Sequence, residues 1–95
     1  MPRHLIELIR DAIRNGNYVM THHAIEEMAD DFLSIYDVEN AILNGKITEK
    51  QKDDPRGARY VIEGVSGIPA AHIGVVGRFK ERGVFLVLTV YAIYE

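Results

Sequence analysis

The chain has 95 residues, 47% of them hydrophobic and 26% charged; at this size about 60 to 70% of the unfolded surface is buried on folding, enough for one core and one domain, residues 1–95. The absence of cysteine excludes disulfide staples, thiolate nucleophiles and cysteine-based zinc sites together. A formal net charge of −3 opposes broad phosphate binding, which depends on a basic surface, and leaves that work to a local patch.

Leu5, Ile6, Ile9, Ala12 and Ile13 recur at helical spacing among Glu7, Arg10, Asp11 and Arg14, and Asn15-Gly16 supplies a left-handed stop. This predicts a helix from about Arg3 to Asn15. The charges inside the pattern deny the segment the apolar stretch of a signal peptide. Asn17 to Met20 reads as a short extended segment. Thr21 can cap a second helix, with His22 and His23 in its first turn and Ile25, Met28, Ala29 and Phe32 on one apolar face. Ser34 and Asp37 have capping-box spacing, with Leu33 and Val38 placed as a hydrophobic staple. The third helix turns Val38, Ala41 and Ile42 inward, and Asn44-Gly45 ends it.

From Lys46 the period changes from helical to alternating, predicting strands at about Lys46 to Gln51, Ala58 to Glu63, Ala70 to Phe79 and Val84 to Tyr94. Turns fall at Asp53 to Gly57, Gly64 to Pro69 and Lys80 to Gly83. Helices followed by strands without alternation predict an α+β fold, N-terminal helices packed on one face of a C-terminal antiparallel β-sheet. No apolar run approaches the roughly 20 residues of a membrane helix, and the expected compartment is the cytoplasm.

If Phe79 pairs with Val84, Ile73 lies opposite Val90, Val75 opposite Leu88 and Gly77 opposite Leu86, an apolar face throughout. Pairing Glu63 with Ala70 adds Tyr60 and Ile62 to it. This face is expected to be buried against Ile9, Ile13, Ile25 and Ile42, with Leu88→Ala costing about 2 to 5 kcal/mol. The same register collects Arg59, Val61, Glu63, His72, Gly74, Arg78, Thr89 and Tyr91 on the opposite face. His72 falls opposite Tyr91 and diagonal to Thr89, and Arg59 lies two positions from Val61, the partner of His72. The plain alternative is that a solvent-facing sheet surface is polar whatever its function.

Tyr18-Val-Met-Thr-His-His-Ala24 with Met28 following, then Ile35 to Gly45, Asp54-Pro-Arg-Gly-Ala-Arg-Tyr60 and Thr89-Val-Tyr91, resemble in order and spacing the DUF4258 family of small bacterial proteins. The resemblance spans nearly the whole chain. That family is similar in architecture to RelE-like and MqsR-like toxins, compact helix-plus-sheet endoribonucleases held inactive by an antitoxin. The resemblance marks His23, Ala24, Arg59, Tyr60, His72, Thr89 and Tyr91. It departs at Asp30-Asp31-Phe32, where relatives tend to carry a basic residue and a glycine, and in being acidic where such toxins are usually basic.

Metal-free RNA cleavage needs a base for the 2′-hydroxyl proton, an acid for the leaving oxygen and a cation for the charge that builds on phosphorus. His72 with Arg59 is the expected catalytic pair, supported by His23, Thr89 and Tyr91; histidine titrates near neutrality, and the arginine fork matches phosphate oxygens. Lys46, Lys50, Lys52 and Arg56 are the expected RNA-backbone contacts. No cofactor and no metal are implied: His22 and His23 are adjacent and diverge on a helix, and no His-Glu-x-x-His pattern is present. The partners implied are RNA and an antitoxin-like protein, with a homodimer open. The rival reading is a non-catalytic protein-interaction domain of the same fold.

Overall fold

Two of the three helices begin on the caps their sequence supplies. In the computed structural model, which describes residues 4–52, 55–67 and 71–93, α1 spans Leu5–Arg14, β1 Tyr18–Met20, α2 His22–Asp30, α3 Ile35–Asn44, β2 Lys46–Gln51, β3 Arg59–Val65, β4 His72–Phe79 and β5 Phe85–Ala92. Thr21 Oγ1 accepts from the Ala24 amide at 3.1 Å to start α2, satisfying one of the helix's orphan donors. Ser34 and Asp37 close a reciprocal capping box on α3. The expected helix start at Arg3, the Asp53-Asp54 turn pair, Ala70 and the strand end at Tyr94 lie outside the described residues.

Asp37 does more than cap. Its carboxylate accepts from the Ser34 amide at 2.7 Å and from the Gly67 amide at 3.1 Å, tying α3 to the β3–β4 connection. The Ser34 hydrogen bond, with Gly67 adding to it, holds the carboxyl below its ordinary pKa. A depressed carboxyl pKa stabilises the fold above the unfolded value, near 3.9, and that contribution is lost as pH falls through the folded value. Asp37→Asn is therefore expected to cost about 1 kcal/mol at pH 7, with the gap to wild type closing below pH ~4. Denaturant melts at pH 7 and pH 3 check this; a gap that persists unchanged at pH 3 refutes the charge as its source.

The sheet has five strands in the order β1-β5-β4-β3-β2. It is mixed, which corrects the expectation of a purely antiparallel sheet: the segment before Thr21 forms β1 and runs parallel to β5, Tyr18 beside Phe85 and Met20 beside Val87. The α+β class stands, with β1 interrupting the expected run of helices. Helices α1 and α3 cover one face, burying Ile9, Ile13, Val38 and Ile42 against Ile62, Ile73, Val75, Phe85, Val87 and Val90, all at most 4% exposed. A Cβ on Gly64 would lie 2.1 Å from the Ala41 carbonyl oxygen, so α3 rests directly on the β3 backbone and admits no side chain there. Among the described residues no helix is long and apolar enough to cross a membrane.

Both hairpin registers differ from the expected ones, with different consequences. Between β3 and β4, Ile62 pairs with Val75 and Glu63 with Gly74. The shift from the Glu63–Ala70 pairing is even, so every side chain keeps its face. Between β4 and β5, Phe79 pairs with Phe85, Gly77 with Val87, Val76 with Thr89 and Val75 with Val90. Leu88 is an extra residue on β5, a bulge that reverses the strand's alternation midway. Phe85 and Val87 therefore face the core before it and Val90 after it, while Leu86 and Leu88 are only partly buried.

Helix α2 also departs from expectation. Ile25 is 48% exposed and Phe32 96%, and Ala29 is exposed; the inward stripe is instead Ala24, Glu27, Met28 and Asp31, at the spacing of one helix face. The β5 edge fixes that rotation. Thr21 Oγ1 donates to the Leu88 carbonyl at 3.0 Å and Glu27 Oε1 accepts from the Val90 amide at 3.0 Å, so α2 covers the edge where β1 ends. Beyond it Phe32 takes φ +56°, with the Leu33 amide bonded to the Met28 carbonyl at 2.8 Å, a left-handed helix stop that glycine adopts without steric cost. Phe32→Gly is expected to stabilise by about 1 kcal/mol, while Phe32→Ala, with its Cβ retained, should not. Paired thermal melts separate the two; equal shifts would show that aromatic exposure and not backbone strain is what matters.

Candidate functional site on the open sheet face

The face away from α1 and α3 carries every second residue of β3 and β4, so Arg59, Val61, Glu63, His72, Gly74, Val76 and Arg78 share it with Thr89 and Tyr91. The expected membership of this face holds, and Tyr91, opposite Gly74, stays diagonal to His72, but Arg59 is no longer near them. His72 pairs with Val65 at one end of the strand pair. Arg59 begins β3 at the other end, and the run from Arg59 to Val65 spans about 20 Å at roughly 3.3 Å per residue. One phosphate cannot bridge them. The even shift between β3 and β4 that preserved the faces moved these two side chains apart.

Three groupings replace the expected one. At the first end Gln51 pairs with Arg59, and the Tyr60–Gly77 pair sets Arg59 across from Arg78. A cross-strand row of Gln51, Arg59 and Arg78 results. In the middle, Glu49 pairs with Val61, and Gln51 Nε2 donates to Glu49 Oε1 at 3.4 Å. The Tyr91 ring lies over Gly74, where an added Cβ would meet its Cζ at 2.1 Å. Burial, with the charges of Glu63 and then Glu49, pushes the Tyr91 hydroxyl above its ordinary pKa, so it stays protonated at neutral pH. Thr48 Oγ1 donates to Glu63 Oε2 at 2.9 Å beside it. At the far end a cleft of about 370 Å³ is lined by Lys46, Glu63, Val65 and His72 among others.

His23, in the first turn of α2, reaches β5 through Glu27 at Val90, between Thr89 and Tyr91. Its Nε2 lies 3.3 Å from Glu27 Oε1, the oxygen that accepts from the Val90 amide. The imidazole is thus oriented by a carboxylate fixed to the β5 backbone, and is 67% exposed. The expected RNA contacts do not form one row either. Lys46 lines the far cleft, Lys50 Nζ stands 5.7 Å from the Tyr60 ring centroid on the helix side of β2, and Lys52 and Arg56 are exposed near the β2–β3 turn.

Residues 20–92 match the sequence profile of a domain of unknown function, DUF4258. The chain belongs to the DUF4258 family. No curated protein sequence and no solved structure matches it. Within this DUF4258 domain, sequence reasoning passed over Glu49 and singled out Arg78 only as a member of the face. A bulge at Thr48 hides Glu49: strict alternation would keep it on the face of Ile47, and the register shift after Ile47 turns it to the open side. The glycine expected of DUF4258 relatives near Phe32 fits the positive φ found there.

Proposed function

We propose that the protein is a metal-independent endoribonuclease of a toxin–antitoxin type system, related in architecture to RelE-like and MqsR-like toxins and acting in the cytoplasm at the basic end of the open sheet face. The observation that carries the reading is the apposition of Arg59 and Arg78 across β3 and β4. Two guanidinium forks on neighbouring strands match the oxygens of a phosphate, and their apposition suits a site that holds an anion. In RNA transesterification the phosphorus gains a second negative charge as the 2′-oxygen adds, and two guanidiniums match that dianion better than they match the ground state.

Glu49 lies diagonal to Arg59 on the same face and takes the 2′-hydroxyl proton as that oxygen attacks phosphorus. The bond from phosphorus to the 5′-oxygen breaks, and the protonated Tyr91 hydroxyl donates to the leaving oxygen. The products are a 2′,3′-cyclic phosphate and a 5′-hydroxyl end. His72, on the far side of Glu63, takes no part, and the role first expected of it passes to Glu49. Thr89, beside Val76 in the same row as Glu49, faces the bound nucleotide.

The test is end-labelled single-stranded RNA incubated with the purified protein in EDTA, alone and with ribosomes, together with growth of cells expressing it. Cleavage leaving cyclic-phosphate ends, lost in Arg59→Ala and Arg78→Ala but kept in His72→Ala, supports the reading. Wild-type protein inert in both assays and harmless to growth overturns it and leaves the non-catalytic interaction domain in its place.

A further inference from the structure

A second surface, independent of the open sheet face, lies around β1. A groove of about 570 Å³ runs between this strand and helices α2 and α3, with Val19, Met20, Ile25, Met28 and Ile35 among its walls. Val19, Ile25 and Ile35 are 44%, 48% and 40% exposed, and Phe32 in the α2–α3 turn and Tyr36 at the start of α3 are exposed at 96% and 76%. Contiguous apolar exposure of this kind marks an interaction site in a folded domain.

The strand beside the groove is an edge. β1 ends the strand order, with β5 on one side and, among the described residues, no strand on the other. The Asn17 carbonyl and the Thr21 amide bond to β5, so strand alternation directs the amide and carbonyl groups of Tyr18 and Met20 to the open side. The segment that builds the groove is acidic: residues 15–45 hold Glu26, Glu27, Asp30, Asp31, Asp37 and Glu39 with no lysine or arginine. Glu39 lines the groove itself, accepting from the Tyr18 hydroxyl.

We propose that this groove docks an extended segment of a partner protein in which apolar residues alternate with lysine or arginine. The segment adds a strand to β1 through the outward groups of Tyr18 and Met20, a mode in which main-chain bonds supply affinity and side-chain pockets supply specificity. Its apolar side chains enter the groove over Ile25, Met28 and Ile35, and its cations face Glu26, Asp30 and Glu39. A second copy of this chain is a poor occupant, because pairing β1 with its own equivalent brings two acidic surfaces together. The proposal stands whether or not the open face cleaves RNA.

The probes are two capped ten-residue peptides, one alternating valine with lysine and one alternating valine with glutamate, titrated by fluorescence anisotropy against the intact protein. The lysine peptide should bind at least tenfold more tightly, weaken with salt, and shift the amide resonances of Tyr18, Val19 and Met20. Ile25→Lys with Ile35→Lys, both at partly exposed positions, should reduce its affinity at least tenfold while leaving the melting temperature near wild type. Equal binding of the two peptides, or binding untouched by the double variant, overturns the proposal. So does a wild-type dimer in sedimentation that the double variant splits, which would make a second copy the occupant.

Discussion

Phe85→Ala is expected to cost about 3 to 5 kcal/mol, a large share of the roughly 5 to 15 kcal/mol that holds a domain folded. The ring is fully buried and meets Phe79 edge-on at 5.3 Å. It also fills the space over Gly77, where an added Cβ would lie 2.5 Å from its Cζ. Truncation therefore opens a cavity where β1, β4 and β5 meet, with a glycine on one wall that offers no side chain to refill it. Leu88→Ala, by contrast, removes a half-buried side chain from a bulge and should cost about 1 kcal/mol. Urea melts of the two variants rank them directly; a larger loss for Leu88 would contradict the β5 register.

That contrast shows where the sequence spoke clearly and where it was mute. Helices α1 and α3 were legible because apolar spacing and capping residues agree at Ile9, Ala12 and Ile13 and at Ser34, Asp37 and Val38. Strand β5 was not, since Val84 to Leu88 is apolar at every position, and alternation cannot assign faces to a run without polar residues. The turn decided instead: Arg82 and Gly83 both adopt positive φ, at 66° and 74°, shifting the pairing to Phe79–Phe85. Helix α2 misled for a different reason. Two of its expected inward residues, Ile25 and Ala29, point outward, and polar bonds to the edge of β5 through Thr21 and Glu27 set its rotation.

The candidate site was legible as a face and not as a constellation. Parity survives an even register shift, so Arg59, His72, Thr89 and Tyr91 were placed on the right side of the sheet. Distance along the strand does not survive it, so the partner of Arg59 became Arg78. Glu49 needed knowledge of the Thr48 bulge, which no residue type in that strand announces.

Glu49→Gln is expected to lower the rate of RNA cleavage by about 10²- to 10⁴-fold, the usual worth of a positioned general base. Glutamine keeps the size of the side chain and its contact with Gln51 while removing the ability to take a proton. Because Glu49 is exposed, the variant should melt with the wild type, separating chemistry from folding. The loss should fall on kcat with KM nearly unchanged, whereas Arg78→Ala should raise KM as well as lower kcat, since it touches both bound phosphate and transition state. Tyr91→Phe removes the proposed acid, and with that hydroxyl raised above the tyrosine norm of about 10, the wild-type rate should not decline toward pH 9 for want of its proton. Glu49→Gln with full activity would eliminate this base and, with it, the assignment of the chemistry to the row beside Arg59.

The parallel pairing of β1 with β5 also dictates an order of events in the making of the protein. Tyr18 and Phe85 are neighbours in the sheet yet stand far apart in the chain, so the closure that unites them carries a large entropic cost and comes late. The hairpins of β2 to β5 can assemble from near neighbours. The N-terminal strand, and α2 with its bonds to the same β5 edge, must wait until β5 has left the ribosome. Until that moment the nascent chain shows the edge of an unfinished sheet and the apolar side chains that β1 and α2 later cover, an interval during synthesis in which a chaperone has most to offer it.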